Sequence, residues 1–128
     1  MANENETVAD EVPESGRSAV EIIKENSRSL RGTLSLELAG ADDHFSDDSK
    51  QLLKFHGSYQ QEDRDARKNR RSDGLGKHYM FMVRGRIPGG KMTAKQYIAL
   101  DQLAESHANG TIRLTSRQSI QFHGILKN

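Results

Sequence analysis

The chain has 128 residues, of which 34% are hydrophobic and 5% aromatic, so it can form one small domain with a modest core. Its 19 basic residues nearly balance 18 acidic ones, and the net charge of +1 gives no reason to expect a general binder of nucleic acids or membranes. Cysteine is absent, which excludes disulfides and iron-sulfur ligation by this chain. No signal peptide or membrane-spanning apolar run is visible, so we expect a cytoplasmic protein.

The first half of the chain is polar and predicts little regular structure. Residues 1–17 are acidic and nearly devoid of apolar side chains, which predicts a disordered arm. Residues 18–49 predict a helical and loop extension, whose first helix is capped by Ser18. The segment 50–56 is predicted to be extended, and the arginine-rich segment 60–71 is predicted to lie on a surface.

Residues 50–128 are predicted to form an α+β half-domain. Alternating side chains over 78–86 predict a strand. A capping box predicts a helix over 93–107, in which Tyr97, Ile98, Leu100 and Ala104 are expected to cover a sheet. Two further strands are predicted over 111–115 and 119–127. The order strand, helix, strand, strand is that of the first four elements, βαββ, of a βαββαβ ferredoxin-like unit.

The chain ends before the second helix and the fourth strand of such a unit. We therefore expect an incomplete ferredoxin-like half-domain, truncated at its C-terminus, in which one sheet face is partly uncovered and one strand lacks a partner. On this ground we also expect the chain to be one piece of a longer polypeptide.

Five polar residues of the last two predicted strands and their turn can border one pocket, because neighbouring strands lie about 4.8 Å apart. Guanidinium groups pair with carboxylates, and amide, hydroxyl and imidazole groups add hydrogen bonds, so a polycarboxylate would suit this set. The alternative is that the five form the solvent-exposed face of an antiparallel sheet. These residues are Arg113, Thr115, Arg117, Gln121 and His123.

Two more arginines, Arg84 and Arg86, precede the sequence Pro-Gly-Gly, at which the strand over 78–86 must end. An arginine at a strand end suits a small anion, and the alternative is an ordinary surface cation near a turn. No catalytic triad or phosphate-binding loop is visible in the sequence, so a self-contained hydrolase is not expected.

Three long segments carry a family resemblance. They are LKFHGSYQQEDRD at 53–65, FMVRGRIPGG at 81–90 and NGTIRLTSRQSIQFHGILK at 109–127. In this order they resemble the N-terminal portion of assimilatory sulfite reductase haemoproteins, in the sulfite and nitrite reductase family. The resemblance runs from about Ser27 to the end of the chain.

The resemblance implies a half-domain that helps bind sirohaem, a tetrapyrrole with eight carboxylates, beside a [4Fe-4S] cluster whose cysteine ligands are not in this chain. Arg84 is implied to hold sulfite and to polarise its S–O bonds, while Lys54 stands where the family has a basic residue. The implied sirohaem contacts are Arg113, Thr115, Arg117, Gln121 and His123.

The implied reaction is the six-electron reduction of sulfite to sulfide, with the cofactor carrying the electron chemistry. The implied partners are the remainder of the haemoprotein and an electron donor, either ferredoxin or an NADPH flavoprotein, with no nucleic acid and no membrane. Without the cluster cysteines, this chain alone is expected to be inactive.

Three alternatives remain open at this point. The first is a ferredoxin-dependent nitrite reductase, which shares the fold and the cofactor. The second is a non-catalytic nucleic-acid-binding module that uses the basic residues of segment 60–71 as a phosphate patch, although acidic residues interrupt that segment. The third is a regulatory or assembly piece without a cofactor.

Overall fold

A computed structural model describes residues 16–128, so residues 1–15, on which most of the predicted disordered arm falls, lie outside the described residues. The helices and strands follow one another along the chain with short connections. They are α1 (Ala19–Asn26), α2 (Leu34–Ala39), α3 (Asp47–Phe55), β1 (Ser58–Glu62), α4 (Arg64–Ser72), β2 (Tyr79–Gly85), α5 (Ala94–His107), β3 (Ile112–Leu114) and β4 (Ile120–Ile125). A single 3-10 turn, Pro88–Gly90, follows β2.

The prediction of an extended segment over 50–56 is wrong, because residues 50–55 belong to helix α3 and His56 is its C-cap. The side chain of Ser46 accepts a hydrogen bond from the backbone N–H of Ser49 and so caps the helix. Asp47 and Asp48 lie in the first turn, where negative charge is favourable. Leu52 is only 2% exposed and fixes the buried side of the helix. Helix α3 also crosses residue 50, where the half-domain was predicted to begin.

The sheet confirms the predicted α+β, ferredoxin-like arrangement. Its strand order is β1-β2-β4-β3, and each neighbouring pair is antiparallel. Because β2 and β3 both run antiparallel to β4, they are parallel to each other. Helix α5 connects β2 to β3, and β4 lies between these two strands in the sheet. This is a split βαβ unit. The capping box predicted for α5 is present between Thr93 and Gln96.

The expectation that one strand lacks a partner is wrong for β2. Strand β1, which sequence analysis did not find, pairs with β2 from Ser58 opposite Val83 to Glu62 opposite Tyr79. Both sides of β2 are therefore hydrogen-bonded, and the two outer strands of the sheet are β1 and β3.

One face of the sheet carries the core, and two groups of helices share it. Helix α5 covers the β3 and β4 half, where buried Ala104 packs with Ile120 and Phe122. Leu100 joins this cluster as predicted, whereas Tyr97 and Ile98 are 51% and 55% exposed and do not cover the sheet, contrary to prediction.

Helices from the N-terminal extension cover the other half of the same face. Phe45 packs edge-to-face on Phe81 of β2, with 5.6 Å between ring centroids. An apolar groove of about 330 Å³ separates this helical group from β4, and Leu34, Leu38 and Leu126 are among the residues that line it. On the core side of the sheet, the expectation of a partly uncovered face therefore holds for this groove.

The carboxylate of Glu37 joins α2 to the start of α3. It accepts hydrogen bonds from the Ser49 hydroxyl at 2.6 Å, the Thr33 hydroxyl at 2.5 Å and the Ser46 backbone N–H at 2.7 Å. Burial alone would raise the pKa of Glu37, but these hydrogen bonds outweigh it and lower the pKa to about 2. The ionised carboxylate thus fixes the short helix α2 against α3.

Candidate functional site

The sheet face opposite α5 carries the predicted site residues in one row. In register, Arg84 of β2 lies opposite Gln121 of β4, and Gln121 also lies opposite Arg113 of β3. Directly opposed residues have Cβ atoms about 4.5–5.5 Å apart. The structure therefore places an arginine on each of the two strands that flank Gln121. His123 follows on the same face of β4, with its Nε2 atom 3.1 Å from Oε1 of Gln121.

A depression of about 640 Å³ opens at the end of this row where β2 stops, and we call it the cationic depression. Arg84, Arg86 and Arg117 line it, together with Thr115. Its lining includes no aspartate or glutamate, and within residues 16–128 none of the three arginines forms an ion pair. Uncompensated guanidinium groups in a concave site attract small anions and carboxylates.

The turn between β3 and β4 holds Arg117 and Thr115 at this depression. The backbone N–H of Thr115 donates to the Ser119 carbonyl at 2.9 Å, and the Thr115 hydroxyl oxygen accepts from the Ser119 N–H at 3.2 Å. The Ser119 hydroxyl in turn donates to the Gly85 carbonyl at the end of β2. The turn is therefore tied to the strand that carries Arg84, and among residues 16–128 the Thr115 hydroxyl proton has no acceptor, so it can donate to a ligand.

His56 and Gly57 also line the cationic depression, and neither was assigned to the site from sequence, where His56 was left open between a ligand and a structural histidine. The Nε2 atom of His56 lies 2.8 Å from the Leu30 carbonyl, to which it donates. The Gly57 carbonyl accepts the backbone N–H of Arg84 at 2.9 Å. Both residues belong to the first of the three family segments, so their position in that motif was the available signal.

A second depression of about 640 Å³ lies at the other end of the row, and we call it the mixed depression. Arg113 and His123 line it, but so do charged residues from β1 and the first turn of α4. Among these, Arg67 donates two hydrogen bonds to the Glu62 carboxylate, at 3.0 and 2.7 Å. The charged residues of this depression are Glu62, Asp63, Arg64, Asp65, Arg67 and Arg113.

The imidazole of His123 favours its neutral form. Burial lowers the pKa of His123, and the positive charge of Arg113 lowers it further. At neutral pH the ring therefore offers one N–H donor and one acceptor rather than a fixed charge. Such a group can hydrogen-bond a ligand without adding charge to the row.

Lys54 lies apart from the other predicted site residues. It stands in the last turn of α3, and its Nζ atom donates to Oε1 of Gln51 at 2.7 Å. It is not among the residues that line either the cationic or the mixed depression. The structure thus brings together six of the seven predicted residues on or beside one sheet face, and Lys54 is the exception.

Comparison with known proteins finds a family model that resembles three of the four strands of this sheet. Residues 74–128 match the family model described as the nitrite/sulfite reductase ferredoxin-like half domain. The matched residues contain β2, α5, β3 and β4, which are the split βαβ unit and its third strand. They also contain every predicted site residue except Lys54.

Curated relatives extend the likeness over nearly the whole chain. The sulfite reductase [NADPH] hemoprotein beta-component of Staphylococcus epidermidis is 48% identical over 128 residues, covering 99% of this chain and 22% of that protein. The component of the same name from Shouchella clausii is 54% identical over 86% of this chain and 19% of that protein. Sulfite reductase [NADPH] subunit beta of Saccharomyces cerevisiae is 50% identical over 84% of this chain and 8% of that protein. The chain thus spans about a fifth or less of each relative's length.

The half-domain meets the needs of a polycarboxylate cofactor but not those of a metal cluster. Its row of arginine, amide and imidazole groups matches the donors that carboxylates require. Within the described residues no group of three or more potential metal ligands comes together, and the sequence contains no cysteine.

None of the helices in residues 16–128 is both long and apolar enough to cross a membrane.

Proposed function

We propose that this chain forms one side of the substrate and cofactor site of a sulfite reductase that reduces sulfite to sulfide with six electrons. The observation that carries the proposal is the cationic depression, in which three arginines without ion pairs among the described residues converge at the end of β2. Three relatives whose names contain sulfite reductase, each about 50% identical, support the same chemistry.

Sirohaem, with a [4Fe-4S] cluster ligated by cysteines from elsewhere, supplies the electrons when it is bound. The residues of this chain supply charge and hydrogen bonds. Arg113 and Arg117 pair with carboxylates of the macrocycle, and Thr115 and the amide nitrogen of Gln121 donate hydrogen bonds to them. The neutral His123 contacts the macrocycle and donates from Nε2 to Oε1 of Gln121, which turns the amide nitrogen of Gln121 toward the ligand. Because these residues stand at both ends of the polar row, they suit a large, flat ligand with carboxylates along its rim.

Arg84 contacts sulfite in this proposal. Its guanidinium offers two parallel N–H donors to two oxygens of the anion, which orients sulfite and withdraws electron density from its S–O bonds. The charge that develops on oxygen as each S–O bond breaks is then stabilised by a donor that is already in place.

The test is Arg84→Ala in the full-length reductase. Removing one donor that stabilises transition-state charge typically lowers kcat about 10²- to 10³-fold, so we expect a loss of this order in sulfite turnover. Arg31→Ala is the matched control, since Arg31 is an exposed arginine that lines neither depression. Unchanged sulfite turnover in Arg84→Ala would refute the proposal.

The electron donor is proposed from the relatives' names, which contain NADPH. We infer a flavoprotein partner that passes electrons from NADPH, rather than ferredoxin. Sulfite turnover of the full-length protein with NADPH and a flavoprotein, compared with turnover driven by reduced ferredoxin, separates the two donors. Competition between sulfite and nitrite in the same assay separates the two possible substrates.

The nucleic-acid-binding alternative loses support from the geometry of α4. Arg67 is occupied by the Glu62 carboxylate, and Nε of Arg70 donates to the Gly76 carbonyl at 2.9 Å. The charge of Arg67 is therefore compensated within the chain and one donor of Arg70 is engaged, which weakens the proposed phosphate patch.

A further inference from the structure

The guanidinium of Arg84 lies over an aromatic ring supplied by β1. Its Cζ atom is 5.2 Å from the centroid of the Tyr59 ring. Cation–π attraction operates within about 6 Å of a ring centroid, and arginine also stacks on aromatic faces through its planar group. The ring can therefore hold the guanidinium in one orientation without using any of its N–H donors.

The neighbouring backbone leaves room for this arrangement. Gly57 has a φ of +80°, and a Cβ atom at this position would lie 3.8 Å from Cβ and 4.0 Å from Nε of Arg84. The Gly57 carbonyl meanwhile fixes the Arg84 backbone N–H at 2.9 Å. The Arg84 side chain thus runs close along the segment from Gly57 to Tyr59.

Two observations make Tyr59 the orienting group. Within residues 16–128 the Arg84 guanidinium neither forms an ion pair nor donates a hydrogen bond to a protein acceptor, so its donors stay free for a ligand. Tyr59 itself is held in the sheet, where it pairs with Met82 of β2. A half-buried ring on a paired strand is a firm support for a long side chain.

We propose that Tyr59 is a positioning residue that orients the Arg84 guanidinium for its anion. This inference rests on the proposed function, in which Arg84 contacts sulfite. Tyr59 makes no contact with sulfite, and its effect passes through Arg84 alone. The aromatic face carries that effect, and the hydroxyl does not.

The experiment compares Tyr59→Leu with Tyr59→Phe in the full-length reductase. The dissociation constant of sulfite is measured by calorimetry, and KM is measured separately from kcat. A cation–π contact is typically worth from a few-fold in affinity when it is exposed to about 30-fold when it is desolvated. We therefore expect Tyr59→Leu to weaken sulfite binding about 3- to 10-fold. Tyr59→Phe keeps the ring and should bind sulfite within about 2-fold of the parent.

A double variant separates positioning from a general structural effect. Once Arg84→Ala has removed the guanidinium, adding Tyr59→Leu should weaken sulfite binding no further. Circular dichroism shows whether each variant is folded. If Tyr59→Leu does not fold, Tyr59→Met replaces it as the non-aromatic variant.

Three results would overturn the inference. Equal sulfite affinity in the leucine and phenylalanine variants would remove the role of the ring. An equal loss from Tyr59→Leu with and without Arg84 would make Tyr59 merely structural. Unchanged sulfite affinity in Arg84→Ala would instead refute the proposed role of Arg84 itself. A failure of the proposed function is thus distinguished from a failure of the inference about Tyr59.

Discussion

The two depressions at the ends of the polar row have the same volume, about 640 Å³, and very different charge. The cationic depression gathers three arginines and no carboxylate, whereas the mixed depression places three carboxylates among its arginines. The difference arises from the elements that border them. Glycine-rich turns border the first, and the acidic start of α4 borders the second. A concentration of like charge without compensation is costly to stability and is typical of a site for an oppositely charged ligand.

The largest expected effect concerns the rim of the cationic depression, where two turns meet. Gly90 has a φ of +67°, and a Cβ atom there would lie 2.9 Å from Cβ of Gln118, next to Arg117. Gly90→Ala combines left-handed backbone strain with this overlap, so we expect it to lower the free energy of unfolding by about 2–4 kcal/mol. Chemical denaturation measures the change.

Gly89→Ala is the matched control for Gly90→Ala. Gly89 has nearly the same φ, +63°, but a Cβ atom added there would have no neighbouring atom within 4 Å. We expect it to show only the backbone part of the loss, about 1 kcal/mol. Equal losses in the two variants would mean that close packing of the two turns does not build this depression.

The next effect concerns His123 in the mixed depression. We expect its pKa, measured by NMR titration, to lie below the ordinary value of 6.5. The unfolded chain then binds the proton more readily than the folded one, so the free energy of unfolding should fall as the pH drops below about 6.5. Arg113→Ala should raise this pKa only part of the way, because burial is the larger cause and remains. A pKa above 6.5 in the parent chain would contradict the neutral role of His123.

The smallest effect concerns the exposed pair between Glu62 and Arg67. The hydrogen bonds and charge of Arg67 lower the pKa of Glu62. Arg67→Ala should therefore raise this pKa toward its ordinary value, as measured by carboxyl ¹³C NMR, with little change in stability. Arg71→Ala removes a nearby arginine that does not bond Glu62 and should leave the pKa unchanged. If Arg67→Ala did not move it, the carboxylates of the mixed depression would not be compensated as described.

The strands and helix of residues 74–128 could be predicted because their signals are local. Alternation marks β2, and the side chains of Thr93 and Gln96 mark the start of α5. The shared face of Arg84, Gln121 and His123 follows from the same two-residue period. Local pattern therefore sufficed for strands β2, β3 and β4 and for which of their residues face the polar side.

The remaining elements depend on contacts that local pattern does not show. Strand β1 reads Ser-Tyr-Gln-Gln-Glu, a polar run without apolar alternation, and its pairing with β2 fixes it as a strand. The charged helix α4 is capped by Asp63, whose side chain accepts hydrogen bonds from the backbone N–H groups of Asp65 and Ala66. The division of the site into two depressions follows from β1 and α4, and so does the support of Arg84 by Tyr59. None of these could be inferred from residues 78–127 alone.

The position of β1 also bears on aggregation. Long, flat, apolar edge strands invite pairing with other chains, and natural sheets avoid this with short or charged edges. Here β2, the most apolar strand, is shielded between β1 and β4. The outer edge is left to a polar strand that ends in Glu62, and the opposite edge to a strand of three residues that carries Arg113. By taking the outer place, β1 gives the sheet two edges that discourage intermolecular strand pairing.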